Sequence, residues 1–412
     1  MAAWPAKRMD ELCEITSSKR IFAADYVSEG VPFYRGREIT EKYKGNLDVS
    51  TELFITEEKF REIERKFGAP KLGDLLLTSV GTLGSVYVVK LGDRFYFKDG
   101  NLTWFRHFKG LDSQFLYYWI GSPQGKAELQ KCTIGSSQSA FTIVLLKGME
   151  IELPPLPVQQ RIAGILSAYD ELIENSQRRI KTLETMARAI YREWFVHFRF
   201  PGHENHPRVV SSLGEIPQGW EVKKLGDISS YINRGITPRY DEEGDSLVIN
   251  QKCVRDQRLS LEPARRQSKA IPSEKQVCFG DVLINSTGVG TLGRVAQVYE
   301  SLESCTVDTH VTIARAACSA DVDFYGCCLL NLQETFERLG IGATGQTELG
   351  RAAIADVEVV VPPANLQGQF GETARGMRMA AITYGKQIQN LRRTHNLLLP
   401  RLLSGRIEVE AS

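Results

Sequence analysis

The 412-residue chain lacks the usual marks of a catalyst. It has no Walker-type phosphate loop, no nucleophile elbow and no cluster of His, Cys, Asp and Glu at metal-ligand spacing. Its aspartates and glutamates are scattered rather than paired as acid–base chemistry requires. No apolar run approaches the ~18 residues that a membrane helix needs. The opening stretch MAAWPAKRMDELCE has no apolar region of the signal-peptide kind. None of the cysteines (Cys13, Cys132, Cys253, Cys278, Cys305, Cys318, Cys327 and Cys328) belongs to a C-x-x-C pair, and most sit among apolar neighbours. Buried free thiols in a reducing compartment are expected. These absences predict a cytoplasmic protein with no membrane partner. An excess of positive charge is missing too: 51 basic residues face 50 acidic ones, for a net charge of +1. Phosphate contacts carry much of the affinity for DNA. The balance therefore disfavours a solitary tight DNA binder, but not one whose partners supply the positive field.

Three stretches imitate motifs without their context. Residues 288–293 read G-V-G-T-L-G after a strand-like DVLIN. A nucleotide-binding turn would lead into a helix, yet RVAQVY alternates like a strand. The first half has an equivalent, SVGTLGSVYVV, so both are read as glycine-rich turns between strands. Pro154-Pro155 and Pro362-Pro363 lack the flanking Asn or Asp and the aromatic of an amino-methyltransferase motif, and fit strand-to-helix junctions. His203 and His206, with His197 nearby, have no third good ligand at helical spacing, and no metal site is expected.

What is present is an internal repeat of half the chain. Trp4, Lys7, Arg8, Met9 and Leu12 match Trp220, Lys223, Lys224, Leu225 and Ile228 at an offset of 216. GDLLLTSVGTLGSV (73–86) matches GDVLINSTGVGTLGRV (280–295). From Gln138, paired with Gln346, the offset holds at 208, so IELPPL (151–156) falls on VVVPPA (359–364). Each copy opens on tryptophan, continues through short strands and turns, closes on Pro-Pro and ends in a long helix. The organisation predicted is a first domain at 1–157, a helix at 158–196, a Pro-, Gly- and His-rich linker at 197–216, a second domain at 217–364, a helix at 365–404 and a tail at 405–412.

Apolar or small residues recur along the first helix at Ile162, Leu166, Tyr169, Ile173, Ser176, Ile180, Leu183, Ala187, Ile190 and Trp194. Steps alternate between four and three, the a/d pattern of a coiled-coil seam. Adding 208 gives Phe370, Ala374, Met377, Ala381, Tyr384, Ile388, Leu391, His395, Leu398 and Leu402. Two matched stripes can bury one another as an antiparallel pair. Such a helix would be ~58 Å long at 1.5 Å per residue, a length suited to spacing. Glu171, Glu174, Arg178, Arg179, Lys181 and Glu184 are expected on the solvated face or on a partner-docking face.

Polar residues gather at corresponding turns of the two copies. Ser79 and Thr82 correspond to Ser286, Thr287 and Thr291; Ser136, Ser137 and Gln138 to Thr344, Gln346 and Thr347. Arg35 and Arg37 lie near the position of Asn250, Gln251 and Lys252, and NRGITPRY (233–240) adds Arg234, Thr237 and Arg239. Such side chains grip phosphates and read base edges, though Ser, Thr, Gln and Gly are also common in turns.

The order Trp-x-x-Lys-Lys-Leu-Gly-Asp, GDVLI, G-T-L-G-R-V and LPPLPVQQRIAGIL, with REWFVHFRFPG (192–202) and LLLPRLLSGRIEV (397–409) after the helices, resembles the specificity subunits of type I restriction-modification enzymes. The second helix start, VPPANLQGQFGETA (361–374), is a weaker version of the first. The resemblance implies an α+β fold in which two repeated target-recognition domains are separated by two long helices packed as an antiparallel coiled coil, with pseudo-two-fold symmetry. It implies double-stranded DNA with a bipartite target, two methyltransferase subunits and restriction/translocase subunits as partners. It implies no catalysis and no cofactor in this chain, with S-adenosylmethionine, ATP and Mg on the partner subunits. Two other readings stand beside it. One is a methyltransferase carrying its own recognition domain, disfavoured by the missing cofactor loop. The other is a pure coiled-coil scaffold, which leaves the two strand-rich domains unexplained.

Overall fold

The computed structural model describes residues 4–46, 49–135, 139–340 and 348–409. The chain forms two compact units, Met1–Ser176 with Gln387–Ser412, and Gln177–Lys386.

Each unit holds a four-stranded antiparallel sheet of the same order. In the first it is Glu14–Thr16, Leu102–Arg106, Leu75–Thr78 and Val86–Val88; in the second, Ser229–Arg234, Val311–Ala316, Val282–Asn285 and Val295–Gln297. The inner strands LLLT and VLIN are continuous apolar runs because both faces are covered. Leu75 and Leu77 pack under the helices of their unit, while Leu76 faces a second core with Phe97 and Trp104. Val282 and Ile284 divide from Leu283 in the same way. A smaller sheet holds a parallel pair in each unit, Val31–Tyr34 with Tyr96–Phe97 and Ser246–Ile249 with Cys305–Val307. The opening strand of each copy pairs with the strand before Pro-Pro: Ala6–Arg8 with Glu150–Glu152, and Glu221–Lys224 with Glu358–Val361.

The glycine-rich stretches are turns between strands, as expected. At Gly293 φ is +80°, and a Cβ would lie 2.5 Å from the Glu337 amide nitrogen, so glycine is required there.

The long helices are Leu156–Phe195 and Ala364–Leu403, 40 residues each. All the seam positions named above are buried or half-buried. The helices run antiparallel within each unit. In the first, Ile162 and Leu166 share a core with Leu398 and Leu402, and His395 lies 3.8 Å from the Asp170 carboxylate. In the second, Tyr191 and Phe195 share a core with Phe370 and Ala374, and Arg179 donates to the Tyr384 hydroxyl at 2.9 Å. On the charged face, Glu184 pairs with Arg258 at 2.5 Å.

Each helix is pinned at its start by a buried glutamine three residues beyond Pro-Pro-x. Gln159 accepts from the Asp112 amide at 2.8 Å and donates to the carbonyls of Gly110 at 3.0 Å and Pro154 at 2.8 Å. Gln367 accepts from Asp321 at 3.0 Å and donates to Pro362 at 2.8 Å. A buried polar group left without its partner costs about 1–3 kcal/mol. Gln159→Ala is therefore expected to destabilise its unit by about that amount, and Gln367→Ala, with one bond fewer, by less. Urea unfolding of the two variants compares them directly.

The linker expected at 197–216 is folded, and the expectation of buried thiols is corrected. Arg208–Ser211 and Gly214–Pro217 form a hairpin, and Phe200 and Ile216 are buried with Trp220, because the segment carries enough apolar residues to cover the end of the second domain. The cysteines are not uniformly buried: Cys278 and Cys318 are exposed. No helix among the described residues is long and apolar enough to cross a membrane.

Candidate nucleic-acid interface

In each unit one turn carries part of the polar set singled out in the sequence. In the first unit the turn joins Leu75–Thr78 to Val86–Val88 and contains Ser79 and Thr82. In the second it joins Val282–Asn285 to Val295–Gln297 and contains Ser286, Thr287 and Thr291.

The two serines do not face outward. Ser79 and Ser286 are 3% and 0% exposed. Each hydroxyl shares a hydrogen bond with a threonine on the neighbouring strand, Thr103 at 2.7 Å and Thr312 at 2.6 Å. Each backbone carbonyl accepts from a later segment, Ser79 from the Phe141 amide at 3.0 Å and Ser286 from the Leu349 amide at 2.8 Å. They brace the turn. The threonines stand opposite Leu77 and Ile284, diagonal to the serines, so a short hydroxyl side chain reaches them.

The outward groups lie around these braces. In the second unit, Thr287 hydrogen-bonds His310 Nδ1 at 2.7 Å, and Thr291 donates to the Gln251 side-chain oxygen at 3.4 Å and the Thr287 carbonyl at 3.3 Å. Asn250 caps the short helix Gln251–Cys253 by accepting from the Lys252 amide at 2.9 Å, and its own amide donates to Pro263 at 2.7 Å. Lys252 is exposed. Arg234 donates to the Leu349 carbonyl at 3.1 Å and pairs with Glu348 at 2.7 Å. Thr287 also bridges Glu348. Asn250, Thr291, Thr287 and Arg234 thus belong to one connected surface.

Thr237 and Arg239 extend that surface with exposed side chains. Lys269 Nζ donates to the Thr237 carbonyl at 3.1 Å. Nearby, the Arg265 guanidinium lies 3.6 Å from the Tyr240 ring centroid, and Arg266 is exposed. Burial raises the Asp308 carboxyl above its usual range, and its side chain accepts from the His310 amide at 2.9 Å.

The first unit has the same plan with different chemistry. Arg35 occupies the N-cap position of the helix Gly36–Tyr43, as Asn250 does in the second unit, but without a side-chain cap; its backbone amide donates to the Glu38 carboxylate at 2.8 Å. Both Arg35, at 3.4 Å, and Arg37, at 3.1 Å, reach the fully buried Glu38 carboxylate. Gly36 lies against Thr78 and Val80, so the arginines stand beside the turn with exposed Thr82. Ser136, Ser137, Gln138, Thr344, Gln346 and Thr347 lie outside the described residues.

His310, Lys269 and Arg265 were not picked from the sequence. His310 has no repeat partner in the motif; it becomes visible only when the strand Val311–Ala316 places it beside Thr287. Arg265 and Arg266 form a basic doublet, a signal that was available. No group of three metal-ligating side chains occurs among the described residues, including His203 and His206, whose rings lie 6.2 Å and 5.3 Å from that of Phe200. The surfaces offer cations, hydroxyls and amides, the groups that contact phosphates and base edges.

Residues 1–185 match the type I restriction modification DNA specificity domain. Over 99% of its length the chain is 26% identical to the type I restriction enzyme MjaIX specificity subunit of Methanocaldococcus jannaschii, of which 94% is covered. It is 22% identical to the putative type I restriction enzyme MjaX specificity subunit of the same organism, over 99% of this chain and 94% of that one. The fold is similar to a crystal structure of a type I restriction-modification system S subunit from M. genitalium, with a TM-score of 0.61 at 18% identity, covering 97% of this chain and 96% of the other.

Proposed function

We propose that this chain, similar over nearly its whole length to type I restriction enzyme specificity subunits, is one of them, and that each of its two domains reads one half of a bipartite double-stranded DNA target. The observation that carries this reading is the repeated turn, with a basic or amide group at the matching helix cap beside it: Arg35 and Arg37 in one unit, Asn250 and Lys252 in the other. Arg35 and Arg37 offer guanidinium forks suited to guanine or phosphate, whereas the second unit offers the exposed Lys252 ammonium, the Asn250 amide being engaged at the helix cap. The two halves of the target should therefore differ.

The chain itself is proposed to be non-catalytic and to bear no cofactor. S-adenosylmethionine, ATP and Mg would be held by methyltransferase and restriction/translocase subunits in the cytoplasm, with the methyltransferases docked on the long helices. With a net charge of +1, the chain alone should bind duplex weakly. Each phosphate neutralised adds about 0.9 to the slope of log affinity against log salt, so the assembly should bind tighter and with a steeper slope. Fluorescence anisotropy on cognate and scrambled duplexes across a salt series, with and without methyltransferase subunits, tests this. Equal affinity and equal slope in both cases would refute shared binding.

The helices are proposed to act as a ruler. Inserting seven residues after Gln177 and seven after Gly385 keeps both seams in phase and adds about 10 Å at 1.5 Å per residue. The expected result is the same two half-sites with a spacer about 3 base pairs longer, at 3.4 Å per pair. Methylation mapping reads it; active enzyme with an unchanged spacer would exclude the ruler.

A further inference from the structure

The second unit holds a cavity of about 390 Å³ between the helix Leu156–Phe195 and the recognition domain. The two copies differ beside it. Aligning the helix caps Asp112 and Asp321 pairs Tyr118 with Cys327, and the 208-residue offset pairs Asp170 with Arg378 and His395 with Ala187. In the first unit the place is filled: the Tyr118 hydroxyl donates to Asp170 at 2.7 Å, and its ring lies 5.9 Å from His395. In the second unit Arg378 donates to the Cys327 sulfur at 2.7 Å, and the two large rings are replaced by a thiol and a methyl group. Of these residues, Cys327 borders the cavity.

Two arginines one turn apart on the helix line this space. Arg188 reaches only neutral groups, the side-chain oxygens of Gln257 and Thr185, each at 3.3 Å. Arg192 reaches the Asn331 side-chain oxygen at 3.3 Å. Neither has an ion-pair partner among the described residues, so most of their donors are available. Leu330, Cys327 and Tyr191 supply apolar wall, and Glu334 places a carboxylate on the lining. Gln257 is held at the lining with φ of +59°, its amide donating to the Leu330 carbonyl at 2.9 Å.

We propose that this cavity is a binding site for a mononucleotide-sized organic phosphate. The phosphate would lie between Arg188 and Arg192, where charge-assisted hydrogen bonds are strongest. The base would rest on the Leu330 and Tyr191 wall, its edge meeting the Asn331 amide and the Glu334 carboxylate. The volume lies in the range of small-molecule sites, about 300–1,000 Å³.

The test is isothermal titration of the full chain with AMP, and with adenosine and inorganic phosphate separately. AMP should bind, and each fragment should bind at least about tenfold more weakly. Arg188→Gln with Arg192→Gln should weaken AMP by about tenfold per residue. Ala189→Leu, at an exposed helix position lining the cavity, should block the site while leaving both charges. A thermal melt of each variant confirms folding. Duplex DNA binding by the assembled enzyme is read in parallel, so failure here is distinguishable from failure of the DNA-reading proposal. Absence of AMP binding, fragments binding as well as AMP, or unchanged binding in the folded variants would overturn the site.

Discussion

Phe195→Ala is expected to lower the stability of the second unit by about 3–5 kcal/mol, the range for emptying an aromatic site in a packed core. Phe195 is 4% exposed. Its ring lies 5.0 Å from Phe324, 5.1 Å from Phe370, 5.2 Å from Tyr191 and 5.9 Å from Trp220. These rings belong to the recognition domain, both long helices and the strand-opening tryptophan of the repeat. One side chain therefore closes four elements of the unit on each other, and neighbours braced from several sides cannot collapse into its place. Met186, on the same helix, is 46% exposed, and Met186→Ala should change stability by no more than about 0.5 kcal/mol. Urea denaturation of both variants gives the comparison; equal effects would mean that the aromatic cluster does not hold the helix end to the domain.

Gly235→Ala is expected to cost about 3 kcal/mol or more, at the upper end of overpacking, and to weaken DNA binding by the assembled enzyme. A Cβ at Gly235 would lie 1.8 Å from the Val307 carbonyl oxygen and 2.6 Å from that of Asp308. Both obstacles are backbone, so the glycine's own segment must move. That segment carries Arg234, Thr237 and Arg239, and its position is fixed by the Ile236 amide donating to the Val307 carbonyl at 3.0 Å. Gly376 is the control. It lies inside the helix Ala364–Leu403 with nothing within 4 Å of its Cβ position, so Gly376→Ala should stabilise by about 0.5–1 kcal/mol. Thermal unfolding and anisotropy of the two variants check both arms.

The sequence made the repeat and the helices readable for physical reasons. A seam such as Ile162, Leu166 and Tyr169 follows from one period and one buried face, and both are local properties. Pro-Pro marks the helix starts because each pair lies immediately before the first helical residue, where the missing proline N–H costs no helical hydrogen bond. Strand burial was less legible. LLLT and VLIN show no alternation, because alternate residues enter two different cores and only the tertiary fold separates them. The direction of Ser79 and Ser286 was not legible either. A serine in a turn satisfies itself outward with solvent or inward with a partner, and the choice depends on Thr103 and Thr312, more than twenty residues away. The stretch 197–216 has the composition of a linker, yet Phe200 and Ile216 find apolar surface beside Trp220 that composition alone does not reveal.

Whether each domain reads its own half of the target is decided by replacing residues 1–157 with the corresponding domain of a relative, in a host carrying the methyltransferase subunits, and sequencing the methylome. The expected result is a new methylated motif in which one half changes, the other half is retained and the spacer keeps its length. A motif altered in both halves, or active methylation with the original motif intact, would contradict it.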